Sequence, residues 1–332
     1  MNSPQIVESP RVYKILSIDG GGIRGVFPAA LLAAVERHLP SPLGSYFDLI
    51  AGTSTGGIIA IGLGLGLSAA TILKLYEEHG PAIFGQGYGS LEDWLRRRWH
   101  KTRHLFKPKY SSEPLRQALE GILTNRQLGE STCRLVIPAW HPVLERVYIY
   151  KTAHHPRLET DYRALAADAA MATAAAPTFL KPHVTNESVE LVDGGVWANC
   201  PIAVAAVEAI GLLNWPANQI KILSIGTIDD VAVRPPLGGW PEMMLPMMRL
   251  FMAGQMHNAL GMTKILTGDG HDHRAIWRID QTAPAGRYAM DDVRRISEMK
   301  SRALAEAREQ LPELRRHFFD QEVERFVPFH KL

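Results

Sequence analysis

The sequence predicts an α/β fold built around a largely parallel sheet. Two observations predict it: short apolar strands alternate with helical segments, and glycine-rich turns directly follow several of those strands. There is no internal repeat and no low-complexity tract. Residues 12–18 read as the first strand, followed by a glycine loop and a helix over 26–38. Pro28 sits in the first turn of that helix, where its missing N–H costs nothing. Residues 46–51 read as the second strand, followed by a glycine-flanked turn and a helix from Gly56. Ser68 caps the next helix, which Gly80 and Pro81 end. Residues 134–139 and 147–150 are further strands, and 161–175 is an Ala-rich helix stopped by Pro177. Residues 189–192 and 220–225 are short buried strands, with a helix after Pro201 between them. The loop 229–239, which holds Pro235 and Pro236, is the boundary candidate. It divides a core of residues 1–228 from a mostly helical part, 229–332, expected to pack on that core as a lid or regulatory segment.

Bulk properties exclude several classes. A chain of 332 residues suits one large domain or two modest ones. Its 36 Lys and Arg nearly balance 34 Asp and Glu, so it lacks the cation surplus that displaces counterions from a DNA or RNA polymer. Two cysteines, Cys133 and Cys200, are too few for a disulfide framework and fit a reducing compartment. The N-terminus has neither the basic start nor the apolar run of a signal peptide. The most apolar stretch, 56–67, is shorter than the roughly 20 residues a membrane span needs. The expectation is a cytoplasmic protein that touches a membrane without crossing it.

Gly52-Thr53-Ser54-Thr55-Gly56 fits G-x-S-x-G, the nucleophile elbow. A serine between a strand and a helix sits on a strained turn crowded by the residues two before and two after it. Gly52 and Gly56 relieve that crowding. The helix start beside the serine favours a developing anion. The pentapeptide alone also describes an inert Gly/Ser/Thr turn; its place between an apolar strand and an apolar helix argues for the functional reading.

Asp19-Gly20-Gly21-Gly22-Ile23-Arg24-Gly25 lies between the first strand and its helix. Consecutive glycines let several N–H groups converge on one point and hold an oxyanion. Arg24 adds charge there or braces the loop. Gly20, Gly22 and Gly25 also satisfy G-x-G-x-x-G, so a nucleotide-binding protein or NAD-type oxidoreductase is the competing reading, with Asp48 as ribose ligand. Asp48 precedes Leu49, Ile50 and Ala51 rather than closing their strand, and this reading leaves Ser54 and Asp193 unexplained. A plainer alternative is a glycine turn that only allows close helix packing.

Asp193-Gly194-Gly195 follows the strand at 189–192. In an open α/β sheet ligands bind beyond the carboxyl ends of the strands, so an aspartate there shares the crevice of the other two turns. The bland use of Asp-Gly is a turn in which the carboxylate bonds its own backbone.

The glycine loop 19–25, the elbow at Ser54 and Asp193-Gly194-Gly195, in this order and spacing, resemble the patatin-like phospholipases over roughly residues 13–226. The resemblance implies a three-layer α/β/α fold with a helical C-terminal extension. It implies a Ser–Asp dyad without histidine, in which Ser54 attacks a lipid ester, Asp193 accepts its proton and amides of the 20–25 loop hold the oxyanion. It implies membrane phospholipids as substrate and no metal or other cofactor. An aspartate is a poor base at its usual pKa of about 3.9, so the dyad requires a desolvated carboxylate. A histidine triad completed by His257, His271 or His273 is the alternative. A compact core starting near residue 1 with a short helical tail is also similar to the phospholipase effectors of cyclic-oligonucleotide antiphage defence. That implies a cyclic-dinucleotide activator and attack on the inner membrane. A homo-oligomer is a separate expectation among the partners.

Other features have plainer readings. Residues 242–263 hold seven of the eleven methionines, which suits core, an interface, or a lid over an acyl channel. The basic run from Arg96 to His104 suits a solvated helix face or an anionic headgroup. Residues 269–273 and His154-His155 read as polar loops, and 291–317 as an amphipathic packing helix.

Overall fold

The computed structural model describes residues 11–85, 108–231, 240–270 and 273–332. The basic run 96–104 and His271 lie outside the described residues, as do the side chains of Met243, Met244 and Met248.

The strands are β1 (Tyr13–Ile18), β2 (Leu49–Gly52), β3 (Arg134–His141), β4 (Arg146–Lys151), β5 (His183–Val184), β6 (Glu190–Asp193), β7 (Ile220–Asp230) and β8 (Ile276–Ala283). They form one sheet in the order β5-β6-β3-β2-β1-β7-β8, with β4 beside β3. The centre is parallel: β1 pairs with β2 and β7, β2 with β3, and β7 with β8. The principal helices are α1 (Val26–Glu36), α2 (Thr55–Gly64), α3 (Ala69–Lys74), α4 (Glu113–Leu123), α5 (Ala166–Ala174), α6 (Ile202–Val207), α7 (Trp240–Thr267) and α8 (Ile296–His317).

Successive strand side chains point to opposite faces, and both faces are apolar. Leu16, Ile50, Leu135 and Leu223 join one core with residues of α1, α2, α5 and α8. Their neighbours Ile15, Leu49, Val136 and Ile222 join a second core with Ile202 and Ala206 of α6 and Ala259 of α7. The result is the three-layer α/β/α arrangement.

Register explains where the turns emerge. Ile18 pairs with Gly52 on one side and Ile225 on the other, so β1 and β2 end level. The glycine loop and the serine turn therefore leave the same sheet edge together. β3 is longer: Ala51 near the end of β2 pairs with Val136, and β3 continues to His141. Over residues 136–141 one edge of β3 is taken by β4. The other edge, past the end of β2, receives β6 antiparallel, with Ala139 opposite Asp193 and Trp140 opposite Val192. Thus β6 points back toward the end of β2. Asp193 reaches the crevice from the opposite direction, and not as one more turn at a parallel edge as the strand pattern suggests.

Several boundaries differ from the sequence reading. Residues 43–46 form a short 3₁₀ turn, so the second strand begins at Leu49. Residues 161–163 are a separate turn and the Ala-rich helix begins at Ala166. The largest difference is β8: Arg278 and Asp280 interrupt its apolar pattern, so only the pairing with β7 exposes it as a strand. The mostly helical region past residue 229 therefore adds a strand to the sheet, and α8 packs its buried Met299, Ala303 and Ala307 into the first core. Among the described residues no helix is long and apolar enough to cross a membrane.

Candidate active site

Ser54 caps α2 with φ 55° and ψ −123°, a conformation that L-residues rarely adopt. Such a residue costs on the order of 1–3 kcal/mol and persists only when its surroundings hold it. They do so here. The Ser54 amide donates to Thr173 Oγ1 at 3.0 Å, and the Thr173 hydroxyl donates to the Pro138 carbonyl at 2.6 Å, tying the turn to β3. Thr53 Oγ1 donates to the Ala198 carbonyl, and Thr55 Oγ1 donates to the Tyr76 hydroxyl, which in turn donates to the Thr55 carbonyl. A Cβ on Gly52 would stand 2.1 Å from the Gly56 carbonyl oxygen, and one on Gly56 would stand 2.2 Å from the Ile18 carbonyl oxygen. These glycines let strand, turn and helix cross at backbone contact.

Asp193 closes β6 and is buried. Its carboxylate accepts the Gly195 amide at 2.7 Å, and the Ser54 hydroxyl shares the cavity with it, close enough to influence its ionisation. The Asp-Gly turn that bonds its own backbone and the contact with serine are therefore one arrangement. Burial pushes the Asp193 carboxyl up to about 6, against the opposing pull of the Ser54 and Gly195 donors. A Cβ on Gly194 would stand 2.3 Å from the Pro138 carbonyl oxygen, so this turn also rests on the overhanging part of β3.

The glycine loop divides its amides between structure and cavity. Gly20 N–H donates to the Asn199 carbonyl, Ile23 N–H to the Met290 carbonyl and Arg24 N–H to the Gly21 carbonyl. Gly21 and Gly22 line the cavity that holds Ser54, and among the described residues their amides meet no acceptor. Gly22 has φ +59°, and a Cβ there would stand 2.4 Å from the Met290 carbonyl oxygen. Gly25 serves packing: its Cβ would fall 1.9 Å from Thr55 Oγ1. The Arg24 guanidinium braces the loop, donating to the Ile228 carbonyl at 2.9 Å and reaching Asp229 at 3.4 Å.

Three residues that sequence reasoning passed over complete the frame. Asn199 accepts from Gly20 N–H through its own carbonyl, and its Nδ2 reaches the Gly20 carbonyl at 3.3 Å, linking the glycine loop to the turn after Asp193. Thr173 anchors the serine turn as described. Arg278 of β8 bonds Asp19 Oδ2 at 2.6 Å and Ser224 Oγ at 2.8 Å. Asp19 raises the Arg278 pKa well above its usual value, so this buried guanidinium stays charged. Only the spacing of Asn199 six residues after Asp193 is visible in sequence; the other two come from distant elements.

A cavity of about 360 Å³ joins these groups. Ser54, Asp193 and Asn199 lie in its lining, and most of the remaining wall is apolar, including Ile58, Leu75, Phe179 and Leu180. From α7, Phe251, Met252 and Gln255 contribute, which places part of the methionine-rich segment at the site. No described histidine lines it. His257 is exposed on α7. His154, read from sequence as loop, is buried in a polar network with Thr152 and Glu208. Asp269 caps its own loop by accepting the Ala275 and Ile276 amides, and no metal-holding cluster occurs among the described residues. Asp48, the candidate ribose ligand, lies at the start of β2, away from the crevice, and accepts the Lys14 amide and Arg11.

Residues 16–206 match the family model of the patatin-like phospholipases. The chain is 33% identical over 244 residues to the cGAMP-activated phospholipase of Vibrio cholerae, covering 69% of this chain and 68% of that one. It is 33% identical over 251 residues to the cGAMP-activated phospholipase of Escherichia coli, covering 71% and 68%. It is 34% identical over 263 residues to patatin-like protein 2 of Arabidopsis thaliana, covering 71% and 60%.

Proposed function

Because the chain belongs to the patatin-like phospholipase family and is a lipid acyl hydrolase, we propose that Ser54 and Asp193 are its catalytic dyad. One observation carries the assignment: Ser54 and Asp193 line the same apolar cavity, with the serine hydroxyl close enough to act on the Asp193 carboxyl, and burial lifts that carboxyl to about 6. A carboxylate in this range is a usable base near neutral pH, whereas a solvated aspartate is not.

In this reading the acyl chain of a membrane glycerophospholipid lies along the apolar wall. Ser54 Oγ bonds to the ester carbonyl carbon while its proton passes to Asp193. The carbonyl oxygen becomes an oxyanion that accepts the Gly21 and Gly22 amides and faces the start of α2. Collapse breaks the bond to the alcohol oxygen, which leaves with the proton from Asp193. Water then attacks the acyl-serine, Asp193 taking its proton, and the fatty acid departs as Ser54 is restored. Gly20, Ile23, Arg24 and Gly25 hold the loop in shape. The nucleotide-fingerprint reading of Gly20, Gly22 and Gly25 is not favoured, since Asp48 lies away from the loop and Gly25 packs on Thr55.

A cyclic dinucleotide is the proposed activator, on the strength of relatives in V. cholerae and E. coli that are cGAMP-activated phospholipases. Fatty-acid release from mixed phospholipid vesicles, with and without a panel of cyclic dinucleotides, tests both parts. The proposal expects release that Ser54→Ala abolishes and that one cyclic dinucleotide increases. Release that survives Ser54→Ala would overturn the dyad, and release indifferent to every cyclic dinucleotide would overturn the activator.

A further inference from the structure

Helix α7 is two-sided in an unusual way. Its buried side carries Ala259, packed on the second core, together with Thr263 and Thr267, whose hydroxyls donate to carbonyls one turn back. Its other side is exposed and carries an apolar stripe, with His257, Asn258 and Lys264 as the exposed polar residues beside it. Leu250, Phe251, Met262 and Ile265 all face solvent, with Ile265 84% exposed and Phe251 58%. Phe251, Met262 and Ile265 are spaced by 11 and 14 residues, about three and four helical turns, so they share one face. Between them stand Gly254, Asn258 and Gly261, which add no charge. From Met243 to Gly268 the sequence has no Asp or Glu, while it has Arg249 and Lys264. A helix side turned to water ordinarily carries a mixture of both charge signs.

This face is continuous with the cavity. Phe251 belongs to both: it lines the space beside Ser54 and Asp193, and it is among the exposed residues of the apolar stripe. Met252 and Gln255, adjacent on the same helix, line the cavity as well. The apolar surface outside the molecule and the apolar wall within it therefore meet along one helix.

We infer that the exposed face of α7 is the surface on which the enzyme docks to a phospholipid bilayer, and that acyl chains enter the cavity past Phe251. The inference rests on the phospholipase reading for what enters, and on the stripe itself for where the bilayer sits. A bilayer is the occupant the face suits: it offers apolar depth for Leu250, Phe251, Met262 and Ile265, and α7, free of carboxylates from Met243 to its end, does not repel anionic headgroups there. The entry route also gives Phe251 and Met252 a role that an ordinary solvent-facing helix would not need.

The test uses the full chain carrying Met262→Asp and Ile265→Asp, two exposed positions that do not line the cavity. Pelleting with vesicles of phosphatidylethanolamine and phosphatidylglycerol, in the presence of cyclic GMP–AMP, reads docking. Hydrolysis of those vesicles and of the soluble ester p-nitrophenyl butyrate reads catalysis, and sedimentation velocity reads assembly. Full burial of one such side chain is worth a factor of about ten or more, so the variant is expected to bind vesicles at least about tenfold more weakly. Vesicle hydrolysis should fall in proportion while butyrate hydrolysis stays unchanged, which also shows that the variant is folded. Vesicle binding and hydrolysis equal to the unsubstituted chain would overturn the inference. A wild-type dimer that the substitutions split, with vesicle binding unchanged, would overturn it too and assign the face to a second copy. If neither protein hydrolyses phospholipid but only the variant fails to pellet, the docking surface stands and the phospholipase reading falls.

Discussion

Replacing Asp193 by Asn should make the protein more stable at alkaline pH while destroying its activity. Burial holds this carboxyl at about 6, against about 3.9 in an unfolded chain. The native state therefore binds the proton more tightly than the unfolded state does. The stability associated with that proton is fully present below pH 4 and is lost as pH rises through 6. Above that, the native protein carries an ionised carboxylate at a cost of about 3 kcal/mol, from roughly two pKa units at about 1.4 kcal/mol each. Asparagine keeps the shape, still accepts the Gly195 amide, and does not ionise. Unfolding entropy of about 2 cal/mol/K per residue over 332 residues turns 3 kcal/mol into about 4 °C. Calorimetry at pH 8 should thus find Asp193→Asn melting about 4 °C above the unsubstituted chain. At pH 4.5 the difference should shrink to about 1 kcal/mol. Ester hydrolysis should fall by about a thousandfold, the ordinary worth of a general base. Equal melting temperatures at pH 8, or a gap that does not close on acidification, would refute the reasoning about burial.

Four further outcomes follow from the same geometry. Ser54→Gly and Ser54→Ala should both be inactive, but the glycine variant should unfold at higher denaturant, by about 1 kcal/mol, because φ 55° strains alanine and not glycine. Gly52→Ala drives a Cβ against the Gly56 carbonyl and should cost more than about 3 kcal/mol with loss of hydrolysis, whereas Gly121→Ala, on an open helix position, should be neutral or slightly stabilising on denaturation. Arg278→Met leaves Asp19 buried without its cation and should cost about 3–5 kcal/mol by urea unfolding, of which Asp19→Asn in the same chain should restore a large part. His257→Ala, altering an exposed side chain outside the cavity, should leave butyrate hydrolysis within about twofold.

Much of the fold was legible because its signals are local. The apolar runs of β1, β2, β3 and β7 and the turns after β1 and β2 are written in contiguous residues, and glycine spacing marked where backbones touch. Position relative to distant elements was not. β6 looked like one more parallel strand, because its four residues say nothing about direction; only the overhang of β3 past β2 turns it around. β8 was missed because Arg278 and Asp280 break its apolar pattern, and Arg278 is there to hold Asp19, 259 residues away. The oxyanion candidates could be named only as a loop, because which amides are already taken depends on Asn199 and Met290. His154-His155 read as a polar loop because Glu208, the partner of His154, lies 54 residues on. The proposed dyad itself was nominated by motif, while the burial that lifts the Asp193 carboxyl appears only once the cavity is assembled.

The central claim is that the hydroxyl of Ser54 is made nucleophilic by Asp193. Its most direct measurement is labelling of the purified protein with a fluorophosphonate, followed by peptide mass spectrometry to locate the adduct. A single adduct on Ser54, absent in Ser54→Ala and formed far more slowly in Asp193→Asn, is the result predicted here. An adduct on a different serine, or labelling of Asp193→Asn at the unsubstituted rate, would contradict it.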